Sequence, residues 1–282
     1  MLTNSSETSS PNETALNNLI SEIDALGNII GPDGSTVPEI RDAYFQLVEE
    51  FLLENGPLQI PTNIELRSIR TQGFEIVSLD GQVINDYLPR GIHIWFSSQG
   101  PAYNLNGDIL LNSEQADKFG STERITLAHE IGHALDENYP SGMSFMRRKL
   151  EAYFDKNLTD SERTAAICFV FASRIHGELT AWENARLVSD LFGVNEDAFA
   201  SEMDSSLQTY YLAGLLNLEE RLRKLNLKSD EPISIFDINT RTMIKLNYQE
   251  FRQYIVNNKV KERYRNVSHI VKFADFESRG LD

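Results

Sequence analysis

Polar and apolar residues are distributed differently in successive parts of the chain, and their pattern predicts helices on both sides of a short run of strands. Residues 1–12 are rich in Ser, Thr and Asn and are expected to be disordered. Two helices are predicted in residues 13–60. The first ends at Gly27, and the second begins at Thr36-x-x-Glu39 and ends before Gly56-Pro57.

Residues typical of strands dominate the next part of the chain. Turn signals such as Asp80-Gly81 and Asn106-Gly107 separate the predicted strands. Four strands are predicted: Ile64–Ile69, Phe74–Leu79, Gly91–Phe96 and Asp108–Asn112.

Beyond these strands the chain is predicted to be mainly helical to about Leu227. Ser121 or Thr122 is expected to cap one helix, and Thr159-x-x-Glu162 another. Gly177 is expected to break or bend the second helix. The tail adds two further predicted elements, a strand at Thr242–Leu246 and a helix at Tyr248–Val256.

These elements predict an α+β fold, with a small mixed or antiparallel sheet, the helix near Ser121 beside it and many flanking helices. The predicted organisation has an N-terminal helical segment at 13–60, a core at 61–195 and a C-terminal helical extension at 196–282.

Charge and composition narrow the classes of function. Residues 1–220 hold 13 Lys and Arg against 34 Asp and Glu, whereas 221–282 hold 13 against 8. Such an acidic body argues against nucleic acid as a partner and suits basic substrates. Neither a membrane-spanning run nor a secretory signal is recognised, so no membrane partner and a cytoplasmic location are expected; signal-independent export leaves no trace in a sequence. The single cysteine, Cys168, lies in an apolar run and is expected to be buried.

One short motif carries chemistry. Residues 129–133 read His-Glu-Ile-Gly-His, and on a helix positions i and i+4 share one face. Two imidazoles placed in this way can hold one Zn²⁺ ion, with Glu130 beside its open position as a general base. His129 and His133 are therefore predicted as metal ligands and Glu130 as the catalytic residue, with one zinc per chain.

A catalytic zinc needs a third protein ligand, and several residues could supply it. Glu178, 45 residues after His133, is the preferred candidate because Trp182 one turn later indicates a buried helix face. Glu183 and Asp136 are alternatives, and Asp136 also suits a partner that orients a ligating histidine. His176 is a further alternative, whereas His93 and His269 are expected to take no part.

The motif together with Glu178 resembles the gluzincin branch of the zincin metallopeptidases. The stretch Glu178-x-x-Ala181-Trp182-x-x-Ala185 is similar to the Glu-containing helix of uncharacterised bacterial putative metallopeptidases, and anthrax-lethal-factor-like peptidases have a comparable spacing. Those peptidases place a tyrosine about two turns before the Glu, where this chain has Phe171. Repressor-cleaving ImmA-type regulators share the motif as well.

This resemblance, over roughly residues 90–190, implies a zincin-like fold and hydrolysis of peptide bonds in a peptide or protein substrate. It also implies that an edge strand before the active helix pairs with extended substrate, and Asp108–Asn112 is expected to be that edge strand. A non-catalytic or regulatory metal-binding module and a toxin-like effector protease are the alternatives. Four tyrosines could stabilise the oxyanion: Tyr139, Tyr153, Tyr210 and Tyr211. The sequence indicates no oligomeric state.

Overall fold

The structure is a computed structural model, and it describes residues 12–70, 73–97, 102–103, 107–112, 119–225, 227–228 and 230–267. Nearly all of the segment predicted to be disordered lies outside these residues. The chain divides into two compact units, each made of two stretches of sequence. The first unit comprises Met1–Asn138 and Ala181–Ala200, and the second comprises Tyr139–Thr180 and Ser201–Asp282.

Two helices begin the first unit. Helix α1 spans Glu13–Leu26 and starts at Asn12, whose side chain accepts a hydrogen bond from the backbone N–H of Ala15. Helix α2 spans Pro38–Asn55, where the proline suits the first turn because it lacks the N–H that a helix start leaves unpaired. Both helices are followed by a glycine, as predicted.

Thr36 does not cap α2, contrary to the prediction. Residue 37 is the N-cap, and no side chain accepts a hydrogen bond there. The Thr36 hydroxyl instead donates to the backbone oxygen of Ala134, 98 residues away in the sequence. A long-range partner has therefore replaced the local one.

A five-stranded mixed sheet follows. Its strands are β1 Ile64–Ile69, β2 Gly73–Ser78, β3 His93–Ser97, β4 Ala102–Tyr103 and β5 Asp108–Asn112, and their order in the sheet is β1-β2-β3-β5-β4. Strands β1 and β2 are antiparallel, β2, β3 and β5 are parallel, and β4 is antiparallel to β5. The edge position expected of Asp108–Asn112 is wrong, because β4 covers Ile109 and Leu110 on the side of β5 away from β3.

Helix α3 spans Ser121–Ala134 and packs against both β4 and β5. Its N-cap is Gly120, with no capping side chain, so the cap predicted at Ser121 or Thr122 is wrong. Helix α5 spans Asp160–Leu191, and its last turns belong to the first unit. Thr159 and Glu162 form the predicted capping box at its start. The break predicted at Gly177 is wrong: α5 runs through it, since one helix glycine costs only about 1 kcal/mol, which packing can offset.

The second unit consists of helices with a two-stranded hairpin. The remaining elements are α4 Tyr139–Phe154, α6 Glu196–Arg223, β6 Pro232–Asp237, β7 Thr242–Asn247, α7 Tyr248–Asn257 and α8 Val260–Val267. Tyr211 of α6 is buried, and its hydroxyl lies 2.8 Å from that of Tyr254 on α7. The fold is thus α+β, mostly helical with a small mixed sheet, as predicted. Within the described residues, every helix is too short or too polar to cross a bilayer.

Candidate metal centre

Helix α3 carries His129 and His133 on one face. Their ring centroids are 4.8 Å apart and the ring planes meet at 70°. Every residue from Leu127 to Ala134 is buried, and each of the two histidines exposes only 7% of its surface. The helix and the shared face predicted from the motif are therefore both present.

A carboxylate from α5 joins the two histidines. One ligand atom each of His129, His133 and Glu178 lie within 4.8 Å of one another. Donor atoms bound at about 2.1 Å to a tetrahedral zinc lie roughly 3.4 Å apart, so side-chain movements of about 1 Å bring all three onto one ion. Two imidazole nitrogens and one carboxylate oxygen are a donor set found in catalytic zinc sites. This buried group can bind a metal ion.

A glycine allows α5 to approach α3 at this point. A Cβ atom on Gly132 would lie 2.0 Å from the backbone oxygen of Ala181 and 3.1 Å from the amide nitrogen of Ala185. The side-chain amide of Asn184 donates to the backbone oxygen of Gly132 at 3.2 Å. Small residues and one hydrogen bond therefore hold the two helix backbones together at Gly132, which lies between the two histidines in the sequence.

Trp182 covers one histidine. Its indole is stacked on the imidazole of His129, with a centroid separation of 4.2 Å and an interplanar angle of 27°. Phe199 meets the same indole edge-to-face at 5.5 Å. The indole is 3% exposed, and its N–H donates to no acceptor among the described residues. Ring packing is therefore what fixes the position of Trp182.

Glu130 lies between the two histidines in the sequence and is 5% exposed. A carboxylate this well buried is rare in proteins unless it is paired or takes part in chemistry. Asp136 is also buried, but its carboxylate accepts the backbone N–H of Asn138, and it is not a member of the metal-binding group. The other two alternatives, Glu183 and His176, are exposed, which sets them apart from the buried cluster.

The remaining histidines lie elsewhere. The imidazole of His93 on β3 is 3.5 Å from the carboxylate of Asp108 on β5, within the sheet. His269 lies outside the described residues.

Two of the four candidate tyrosines have their hydroxyls engaged within the second unit. The hydroxyl of Tyr153 donates to the backbone oxygen of Arg221 at 3.1 Å. That of Tyr211 is bonded to Tyr254, and burial raises the pKa of the Tyr211 phenol well above its usual value. Tyr139 is the first residue of α4, and Tyr210 lies in α6.

Arg124 anchors the first half of α3. Its guanidinium donates to the backbone oxygen of Phe192 at 3.0 Å, to that of Phe119 at 2.9 Å and to that of Ile60. Burial lowers the pKa of this guanidinium, yet arginine stays charged in proteins. The Arg124 guanidinium thus links the start of α3, through hydrogen bonds, to the end of α5 and to the segment before β1.

A small apolar pocket, partly open to solvent, lies between the sheet and the first half of α3. Ile76, Phe96 and Leu111 line it from the strands, and Glu123 and Thr126 from the helix. Thr126 is one turn before Glu130, so the pocket adjoins the helix segment that bears the candidate base.

Sequence reasoning missed three contributors to the site: Gly132, Asn184 and the stacking role of Trp182. Each acts through the contact of α3 with α5, which no local pattern reveals. The small residues Ala181 and Ala185, spaced like Glu178 and Trp182 along one helix face, were the signal that could have pointed to a close helix crossing.

Comparison with known proteins adds no relative. No protein-family model, curated protein or solved structure matches this chain.

Proposed function

We propose that this protein is a zinc-dependent metallopeptidase that hydrolyses peptide bonds. The observation that supports this most is the buried group of His129, His133 and Glu178 with Glu130 on the same helix turn. A structural zinc site closes all four positions with protein ligands. Among the described residues, three donors of mixed type form the group. Such a set leaves a fourth position for water or substrate, which favours catalysis over a purely structural or regulatory role.

The proposed ligands would supply two neutral imidazoles and one carboxylate to the ion. Zinc held in this way lowers the pKa of bound water and polarises a carbonyl group. The remaining chemistry belongs to the chain. The Glu130 carboxylate takes a proton from the attacking water and delivers it to the leaving amine.

Two features of the first unit suggest how substrate is held. Strand β4 is the edge of the described sheet and packs on α3, so its outer side offers backbone groups to an extended peptide. The small apolar pocket beside Thr126 offers an apolar surface against which a side chain of the substrate can pack. The proposed substrate is therefore an extended segment of a peptide or protein with an apolar residue near the cleaved bond.

The test uses zinc-loaded protein with a peptide library prepared from a digested proteome, read by mass spectrometry. Wild-type protein is expected to cleave library peptides at bonds next to apolar residues, which generates new peptide termini. Glu130→Gln keeps the size of the side chain but removes the base, so it should bind zinc normally and lose at least about 100-fold in rate.

Hydrolysis that survives undiminished in Glu130→Gln would exclude this mechanism. Zinc bound at one equivalent with no cleavage of any library peptide, or of intact casein, would favour the alternative of a non-catalytic metal-binding module.

A further inference from the structure

We propose that Trp182 is a positioning residue, which holds the imidazole of His129 in the orientation that binds the metal. This inference depends on the proposed zinc site of His129, His133 and Glu178. It assigns a role to a side chain that offers the ion no ligand atom of its own.

The geometry of the stack is the first argument. With centroids 4.2 Å apart and planes at 27°, the indole covers one face of the imidazole. A histidine ring turns about two bonds, and a metal must meet one nitrogen in the plane of that ring. A flat neighbour in van der Waals contact restricts the second rotation, so the nitrogen lone pair stays directed while the site is empty.

The position of the Trp182 indole is fixed by a further series of side-chain contacts. Phe199 packs edge-to-face against it, and the guanidinium of Arg186 lies over the Phe199 ring at 5.8 Å. Arg186 is in turn 3.2 Å from the carboxylate of Glu196. Since the indole N–H has no acceptor among the described residues, this series of ring contacts is what places the plane against which His129 rests.

The placement of Trp182 on α5 is the second argument. It lies four residues after Glu178, so both side chains project from the same face of the helix. Because α5 packs closely against Gly132, the carboxylate and the indole both lie beside the histidines of α3. Metal-bound histidines are commonly oriented by a hydrogen bond to the second ring nitrogen. The face of the Trp182 indole is a different means of orienting the His129 ring.

The experiment measures zinc affinity by competition with a chromophoric chelator, using the full chain. Trp182→Phe keeps an aromatic face, whereas Trp182→Met keeps apolar bulk without one. Loss of an orienting partner typically weakens metal binding about 10–100-fold. We expect Trp182→Met to fall in that range and Trp182→Phe to stay within about threefold of wild type, since it keeps the orienting face. Trp95→Met is the matched control. It alters the second tryptophan of the chain, which lies on β3, and should bind zinc as wild type does.

A cobalt-substituted sample provides a readout that general destabilisation would not move. The visible absorption bands of bound Co²⁺ report ligand geometry, and they should change in Trp182→Met while those of Trp182→Phe resemble wild type. Equal affinity in all three proteins, or equal weakening in both variants, would overturn the proposal.

If Trp182→Met does not fold, the same comparison is made at Phe199, the ring that packs against Trp182, with Phe199→Leu and Phe199→Tyr. Weaker zinc binding in Phe199→Leu alone supports the proposal. Equal zinc affinity of the two Phe199 variants overturns it. Failure of the wild type to bind zinc would instead refute the zinc site itself, so the two failures are distinguishable.

Discussion

Gly132 and Ala181 touch backbone to backbone: a side chain of even one carbon at residue 132 would lie 2.0 Å from the backbone oxygen of Ala181. This contact sets the separation between the helix of the two histidines and the helix turn that follows Glu178. The size of one residue therefore controls the geometry of the candidate metal centre.

Substituting Gly132 should damage both the fold and the site. Gly132→Ala gains some helix propensity, but it must push α5 away, and overpacking of this kind costs about 1–3 kcal/mol of unfolding free energy. Urea denaturation measures that loss, and chelator competition should show weaker zinc binding. Gly177→Ala is the matched control. No atom lies within 4 Å of the Cβ it would add, so it should stabilise the protein by about 0.5–1 kcal/mol. Equal effects of the two substitutions would show that close contact at Gly132 is unimportant.

Glu178 is predicted to be the third ligand. Glu178→Ala should reduce zinc affinity by more than about 100-fold, because a direct ligand contributes more than the outer partners whose loss costs 10–100-fold. Glu183→Ala, five residues further along the same helix and exposed, should leave affinity unchanged. Isothermal titration of zinc into each apo protein measures both. Undiminished binding in Glu178→Ala would require a different third ligand.

Arg124 should be worth far more to stability than a surface arginine. Arg124→Met removes the donor to the backbone oxygens of Phe119, Phe192 and Ile60, and leaving such buried acceptors unpaired costs about 1–3 kcal/mol each before relaxation. We expect a loss of roughly 3 kcal/mol in the free energy of unfolding. Arg67→Met breaks only an exposed ion pair with Glu65 and should cost less than about 1 kcal/mol. A difference below 1 kcal/mol between the two would contradict this role.

Cys168 should resist alkylation in the folded protein. It is buried, and that burial raises the pKa of its thiol to about 11. A raised pKa keeps the thiol protonated below pH 11, and only the thiolate reacts. Iodoacetamide at pH 8 should therefore modify the native chain very slowly and the urea-unfolded chain readily, as mass spectrometry would show. Rapid labelling of the native chain would mean that this residue is accessible.

The sequence predicted those features that depend on neighbours along the chain. His129 and His133 share a helix face because four residues make about one turn, and Thr159 with Glu162 forms a capping box from its own local pattern. The α+β class followed in the same way from strands flanked by helices.

The features that were missed depend on distant partners. The Thr36 hydroxyl bonds to Ala134 rather than to its own helix, and Gly177 stays helical inside a long packed helix. Strand β4 has only two residues, too few for any alternation to show. Strand β6 begins at a proline and is fixed by pairing with β7, and no strand was predicted there.

The bond from Thr36 to Ala134 also bears on how the protein is made. A ribosome that adds 5–20 residues per second needs roughly 5–20 s to synthesise the 98 residues between the two partners. During that interval α1 and α2 emerge with their apolar faces, including Leu19, Ile23 and Tyr44, lacking much of the core that finally covers them. The segment of α1 and α2 is therefore one that chaperones should engage during synthesis, and slowed translation before α3 should increase its aggregation.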